Sequence, residues 1–123
     1  MERIGHYPAT AIVRHIQQLA RIGVEDREKP TMIVEDIQST DWASITFSGH
    51  RHVLDLRLEG ESDVVAATIV RLADEIGTVD LPIAGHFVAE IAVTATGIVE
   101  TPAGPRCNHC IQWLKIDALT IRD

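Results

Sequence analysis

The only two cysteines of the chain form a short motif, Cys107-Asn-His-Cys110. Two thiolates at this spacing can chelate a tetrahedral Zn²⁺, and the imidazole of His109 could add a nitrogen ligand. A closed zinc site needs four ligands, but no second Cys-x-x-Cys and no His-x-x-x-His follows. A redox role needs the first thiol near a helix N-terminus, whereas an apparent strand follows here. We favour two partly buried residues at a strand entrance, and we keep zinc binding by Cys107, His109 and Cys110 as an alternative.

A second candidate site consists of three histidines. His50 and His52 are two residues apart, so on a strand they project from the same face. His86 begins a later strand. Like His50, it directly follows a glycine. A right-handed crossover through a helix would place these two strands parallel and adjacent, with their starting ends aligned. Three imidazoles that meet there suit ligand binding, metal binding or acid–base chemistry, and the alternative is ordinary polar residues near a turn.

Other catalytic signatures do not occur in the sequence. It contains no phosphate-binding glycine loop, no Gly-x-Ser-x-Gly and no His-Glu-x-x-His. The two candidate sites are expected at opposite ends of the sheet, because about 15 residues of strand, spanning roughly 50 Å, separate them. A mixed cysteine and histidine site would therefore require a second subunit.

Two segments with helical periodicity are expected to cover the sheet. The first runs from Pro8 to Ile22, with Gly23 closing it. The second runs from Ser62, whose hydroxyl is expected to cap the helix, to Ile76. Their apolar stripes are Ile12, Ile16 and Leu19 in the first helix and Val65, Ile69, Leu72 and Ile76 in the second.

Four strands are predicted from alternating apolar and polar residues. One or two strands lie between Thr31 and Ser48, a tight turn is expected at Ser48–Arg51, and the next strand covers His52–Glu59. A long hairpin follows, with strands over His86–Glu100 and Asn108–Arg122, because the prolines and glycine between them favour a turn. The residues expected to face inward are Leu54, Leu56 and Leu58 in the second strand, and one face of the third carries Phe87, Ala89, Ile91 and Val93.

The element order α-β-β-α-β-β predicts one α+β domain over residues 1–123. In it, two helices pack on one face of a four-stranded, antiparallel-rich sheet. The chain is acidic, with a net charge of −7 and no cluster of basic residues, so nucleic acid is not an expected partner. No apolar run approaches the length of a membrane helix, and the N-terminus does not resemble a signal peptide. A cytoplasmic location with reduced cysteines is expected.

The favoured function is a non-catalytic, homodimeric binding or assembly module for a peptide, a protein or a small ligand. Two helices cover only one face of the sheet, and the other face carries Val53, Val88 and either Trp113 or Leu114, which is too apolar to remain fully wet. In element order alone the chain is similar to bacterial secretion chaperones, which implies dimerisation and peptide binding. The alternatives are a small metal-dependent or acid–base enzyme that uses His50, His52 and His86, and a zinc-stabilised structural protein. No cofactor is expected in the favoured case.

Overall fold

The computed structural model describes residues 7–21, 30–77, 83–104 and 107–122, without the side chains of Tyr7, Arg21, Ala103 and Cys107. These residues form two helices and four strands in the predicted order. The elements are α1 (Tyr7–Arg21), β1 (Thr31–Ala43), β2 (Ser48–Glu61), α2 (Ser62–Glu75), β3 (His86–Gly104) and β4 (Cys107–Arg122). Gly23, which was expected to close the first helix, lies outside the described residues.

The four strands form a single sheet in the order β1-β2-β4-β3, and each strand is antiparallel to its neighbours. The predicted α+β class is therefore confirmed. The predicted adjacency of β2 and β3 is wrong, because β4 returns from its hairpin and pairs with both of them. Since β2 and β3 are each antiparallel to β4, they still run in the same direction and begin at the same end of the sheet.

Both helices lie on one face of the sheet, which we call the helix face. The α2 helix packs against β2, β3 and β4, and α1 packs against α2 and β1. The two helices are also joined by a hydrogen bond of 3.3 Å, which Arg71 Nη1 donates to the carbonyl oxygen of Leu19. The core between the layers is aliphatic, and its fully buried side chains include Ile12, Ile16, Leu54, Leu56, Leu58, Leu72, Leu114 and Ile116. The alternation predicted for β2 is thus confirmed.

Two predicted local features of β2 and α2 are wrong. The turn before β2 is at residues 44–47, where Ser44 N donates to Phe47 O at 2.8 Å, so Gly49 and His50 already lie within the strand. The N-cap of α2 is Glu61 rather than Ser62 and has no side-chain capping bond. The Ser62 hydroxyl instead donates to the carbonyl oxygen of Asn108 at 3.3 Å, which ties the start of α2 to β4.

β-Bulges change which residues of the edge strands face the helices. β1 is one strand with a register shift between Val34 and Asp36, and β3 has three such shifts. The prediction that Phe87, Ala89, Ile91 and Val93 share one face is wrong, because the first shift in β3, between Val88 and Glu90, separates Phe87 from Ile91 and Val93. The residues that pack on the core are Val88, Ile91 and Val93, while Phe87 is 43% exposed.

The third strand is also longer than predicted. It continues through Pro102 to Gly104, with Pro102 paired to Asn108. A proline is tolerated here because β3 is an edge strand and Pro102 lies beside a register shift, two positions at which sheets accept proline. No described helix combines the length and the apolar character needed to span a membrane.

Candidate functional site

The three histidines of the second candidate site lie together on the helix face, at the end of the sheet where β2 and β3 begin. The ring centroids of His50 and His52 are 5.9 Å apart, and those of His50 and His86 are 6.1 Å apart. The register explains the arrangement: His50 pairs with Thr120 of β4, and His86 pairs with Arg122 two residues further along the same strand. The histidines therefore meet across β4 rather than between adjacent strands.

His52 is the buried support of this group and is 0% exposed. Its Nδ1 lies 2.7 Å from Ser39 Oγ, and its Nε2 lies 2.9 Å from Thr120 Oγ1. The Thr120 hydroxyl donates to the carbonyl oxygen of His50 at 3.4 Å, so its oxygen accepts from Nε2–H of His52. Nδ1 of His52 then accepts from the Ser39 hydroxyl. With both ring nitrogens hydrogen-bonded, His52 positions its neighbours and has no nitrogen to offer a ligand.

His50 is 5% exposed and lies between the other two imidazoles. Its Nε2 is 3.5 Å from Asp41 Oδ1, and the Asp41 side chain is fully exposed. Its Nδ1 is buried and has no hydrogen-bond partner among the described residues. Burial lowers the pKa of His50 below its ordinary value of 6.5, and the charge of Arg122 lowers it further. The Asp41 carboxylate raises this pKa and His86 lowers it, so the net direction is downward and the ring is neutral at pH 7.

His86 is half-buried and is held by the turn that precedes β3. Its Nδ1 lies 3.2 Å from the carbonyl oxygen of Ala84, which is an acceptor only, so Nδ1 carries the proton. Gly85, between them, has a φ of 77°, the left-handed conformation that glycine adopts without cost. The Nε2 of His86 is buried and, like His50 Nδ1, has no partner in the described part of the chain.

The cysteine motif does not form a comparable group. Cys110 is 2% exposed and belongs to the core, where burial and then the Glu100 carboxylate raise the pKa of its thiol. His109 is exposed, and as the adjacent residue of the same strand it projects from the opposite face. His109 and Cys110 therefore cannot ligate one ion together. The side chain of Cys107 lies outside the described part of the structure. Within that part, no three His, Cys, Asp or Glu side chains converge to hold a metal ion.

The sheet face opposite the helices, which we call the open face, carries the second notable surface. At one end, register places Trp42, Gly49, Ile121 and Phe87 in one row across the sheet, in which Ile121 is buried and Phe87 is exposed. At the other end, the half-buried Trp113 lies opposite Gly97, and beside it is a depression of about 470 Å³. The depression is lined by Glu35, Asp36, Asp55, Thr96, Gly97, Trp113 and Leu114. Of the residues predicted for this face, Val53 and Trp113 lie on it. Val88 and Leu114 do not, because register pairs Val88 with Thr120 and Leu114 with Leu56, and both pack on the core of the helix face.

The partners that fix the histidines also could not be read from the sequence. Ser39, Asp41 and Thr120 contact His52 or His50 only because β1 and β4 flank β2 in the observed register. Comparison of the sequence with protein-family models gives no match, and no curated protein matches it either.

Proposed function

We propose that the protein is a non-catalytic, homodimeric binding module whose two copies associate through the open face of the sheet. The observation that carries the proposal is that both helices lie on the other face, while the open face has apolar residues at its two ends. At one end these are the half-buried Trp42 and the exposed Phe87. At the other end they are Ile33, Trp113, Ile111 and Val99. Exposed apolar residues on a sheet face that no helix covers are typical of protein–protein contact sites.

The charges between these apolar ends favour a second copy of the same chain as the occupant. Lys115 is exposed and pairs in register with Asp55, and Asp36 and Asp117 lie close by on the same face. Arg51 and Arg57 are engaged within the chain, by Glu90 at 3.7 Å and by Glu59 at 3.0 Å. A two-fold axis through the centre of the face would bring Lys115 of each copy against the carboxylates of the other. Such self-complementarity is what an isologous interface requires.

The size of the open face also fits a stable dimer. Four strands spaced about 4.8 Å apart are roughly 19 Å wide, and 12 residues of strand are roughly 40 Å long. The face therefore measures roughly 750 Å², close to the roughly 800 Å² that each partner contributes to a stable interface. Two sheets packed face to face would lie about 10 Å apart with their side chains interdigitated.

The sheet edges support this choice, because they are poor sites for pairing with another chain. Edge strand β3 has three register shifts and contains Pro102, and edge strand β1 has a shift after Val34. Bulges and prolines are devices that prevent edge-to-edge association. Association through the open face therefore needs no strand to be remodelled. The proposal retains a cytoplasmic location, where the free thiol of Cys110 stays reduced.

The experiment compares two valine substitutions by multi-angle light scattering. Val99 lies on the open face and is 50% exposed, while Val70 lies on α2 and is 59% exposed. Val99→Arg places an unpaired charge in the interface and should halve the mass, from twice 13.5 kDa to 13.5 kDa. Val70→Arg makes the same chemical change on the helical side and should leave the dimer intact. Equal effects of the two substitutions would contradict the assignment of the interface to the open face.

A second candidate, an acid–base enzyme at the histidine group, is favoured by the lowered pKa of His50. Only His50 and His86 could serve it, because both nitrogens of His52 are occupied. The enzyme would be supported over the binding module by a reaction rate that falls as the pH drops through a pKa below 6.5, together with loss of the activity in His86→Ala.

A further inference from the structure

Two buried ring nitrogens at the start of β2 and β3 have no protein partner among the described residues. They are Nδ1 of His50 and Nε2 of His86, on rings whose centroids are 6.1 Å apart. Buried polar atoms are normally hydrogen-bonded, and those that are not usually receive a water, an ion or a ligand. We propose that His50 Nδ1 and His86 Nε2 bind one divalent transition-metal ion at this end of the sheet. This inference does not depend on the proposed dimer.

Each ring has an acceptor beside one nitrogen, and its other nitrogen is the buried one without a partner among the described residues. His86 Nδ1 faces the carbonyl oxygen of Ala84 at 3.2 Å, and His50 Nε2 faces the Asp41 carboxylate at 3.5 Å. Both partners are acceptors, so in the neutral form of each ring the proton lies on the side of its partner and the other nitrogen carries a lone pair. Metal-binding histidines in proteins are oriented in this way, by a carbonyl or a carboxylate behind the ring. Two unprotonated nitrogens cannot donate to each other, whereas a cation can accept both lone pairs.

The separation of the rings is close to what a shared ion needs. Each imidazole nitrogen ligates Zn²⁺ at about 2.0–2.1 Å, which puts the centroids of two ligating rings roughly 5–6 Å apart. The observed 6.1 Å therefore requires only a small closing movement. His52, stacked on His50 at 5.9 Å and held by Ser39 and Thr120, keeps the central ring in place.

The charges around the site influence its affinity for a cation. The Asp41 carboxylate favours a cation, whereas the guanidinium of Arg122, which is close enough to influence His50, opposes one. The described residues supply two ligands and no third, so water or an added ligand must complete the coordination sphere. Neutral imidazoles select Zn²⁺, Ni²⁺ or Cu²⁺ over Mg²⁺, which prefers oxygen.

The test is calorimetric titration of the chelator-treated full chain with Zn²⁺ at pH 7.5, with Mg²⁺ as the control ion. We expect one Zn²⁺ per chain and no Mg²⁺ binding. His86→Ala should weaken Zn²⁺ binding at least tenfold, and Asp41→Asn should weaken it by about tenfold through loss of the carboxylate behind His50. Asp41 is fully exposed, so its substitution leaves the fold intact.

His109→Ala is the matched control, because this exposed histidine lies at the opposite end of the sheet. The affinity of the His109→Ala variant for Zn²⁺ should equal that of the unmodified chain. Absence of Zn²⁺ binding, or binding that is lost in His109→Ala or Cys110→Ser and kept in His86→Ala, would overturn the proposal. Light scattering of the same samples separates this outcome from failure of the dimer, since the mass reports the dimer alone.

Discussion

Replacement of Gly49 by alanine tests the packing of β2 against β4 at the end of the sheet where the histidines meet. Gly49 lies beside Ile121 in the register and is followed directly by His50. A Cβ at this position would overlap the carbonyl oxygen of Thr120 and would lie 2.8 Å from Ile121 Cα. These atoms belong to the backbone, so no side-chain rotation can relieve the overlap. Gly49→Ala must therefore separate the two central strands.

The energetic cost follows from the contacts that such a separation breaks. Two neighbouring ladder hydrogen bonds contribute about 1 kcal/mol each, and overpacking of a dense interior adds about 1–3 kcal/mol. The expected loss is about 3–5 kcal/mol, a large part of the roughly 6–18 kcal/mol typical of a chain of this length. For a chain of this length, such a loss corresponds to a fall in Tm of roughly 12–20 °C. The hydroxyl of Thr120 and the ring of His52 would be displaced as well.

The assay is urea unfolding followed by circular dichroism, with Gly77→Ala as the control. A Cβ at Gly77 meets nothing within 4 Å, so this substitution should change the free energy of unfolding by less than about 1 kcal/mol, in the stabilising direction. If Gly49→Ala proved as stable as Gly77→Ala, the close approach of β2 and β4 beside His50 would be refuted, and with it the geometry of the histidine group.

Two further substitutions probe buried polar groups. His15 is 7% exposed, burial lowers its pKa below 6.5, and its Nε2 has no partner among the described residues. The unfolded chain therefore binds more protons below pH 6.5, and stability falls as the pH drops from 6.5 through the folded pKa. His15→Leu should raise stability at pH 7 by about 1–2 kcal/mol and flatten, without abolishing, this acid dependence, since His50 contributes in the same direction; a steeper loss in acid would contradict it. Thr120→Val should cost about 1.5–3 kcal/mol by removing the contacts to His52 and His50. The exposed Thr94→Val is its control, and equal unfolding midpoints would contradict the buried network.

The helices and strands that bury one face could be predicted from the sequence. The alternation of Leu54, Leu56 and Leu58 and the helical spacing of Val65 and Leu72 are local patterns, and each residue is buried as expected. The class of the fold follows from such patterns, because two one-sided helices must cover a sheet. The observed strand boundaries differ from the predicted ones where polar residues or a proline continue an edge strand, as at Pro102.

The face of each edge-strand residue could not be predicted. A bulge adds one residue to one strand and reverses the side of every residue beyond it, and no residue type marks it. The shift after Val88 is the reason that Phe87 lies on the open face. The histidines were named from their spacing, but their meeting point depends on β4 lying between β2 and β3. Ser39, Asp41 and Thr120 could not be connected with them, since strand register is a property of the whole sheet.

Sedimentation equilibrium of the unmodified chain tests the proposed binding module most directly. Over micromolar to submillimolar concentrations at moderate salt, the account predicts a mass of twice 13.5 kDa, because an interface of standard size buries the open face. A mass of 13.5 kDa throughout that range would contradict the proposed homodimer.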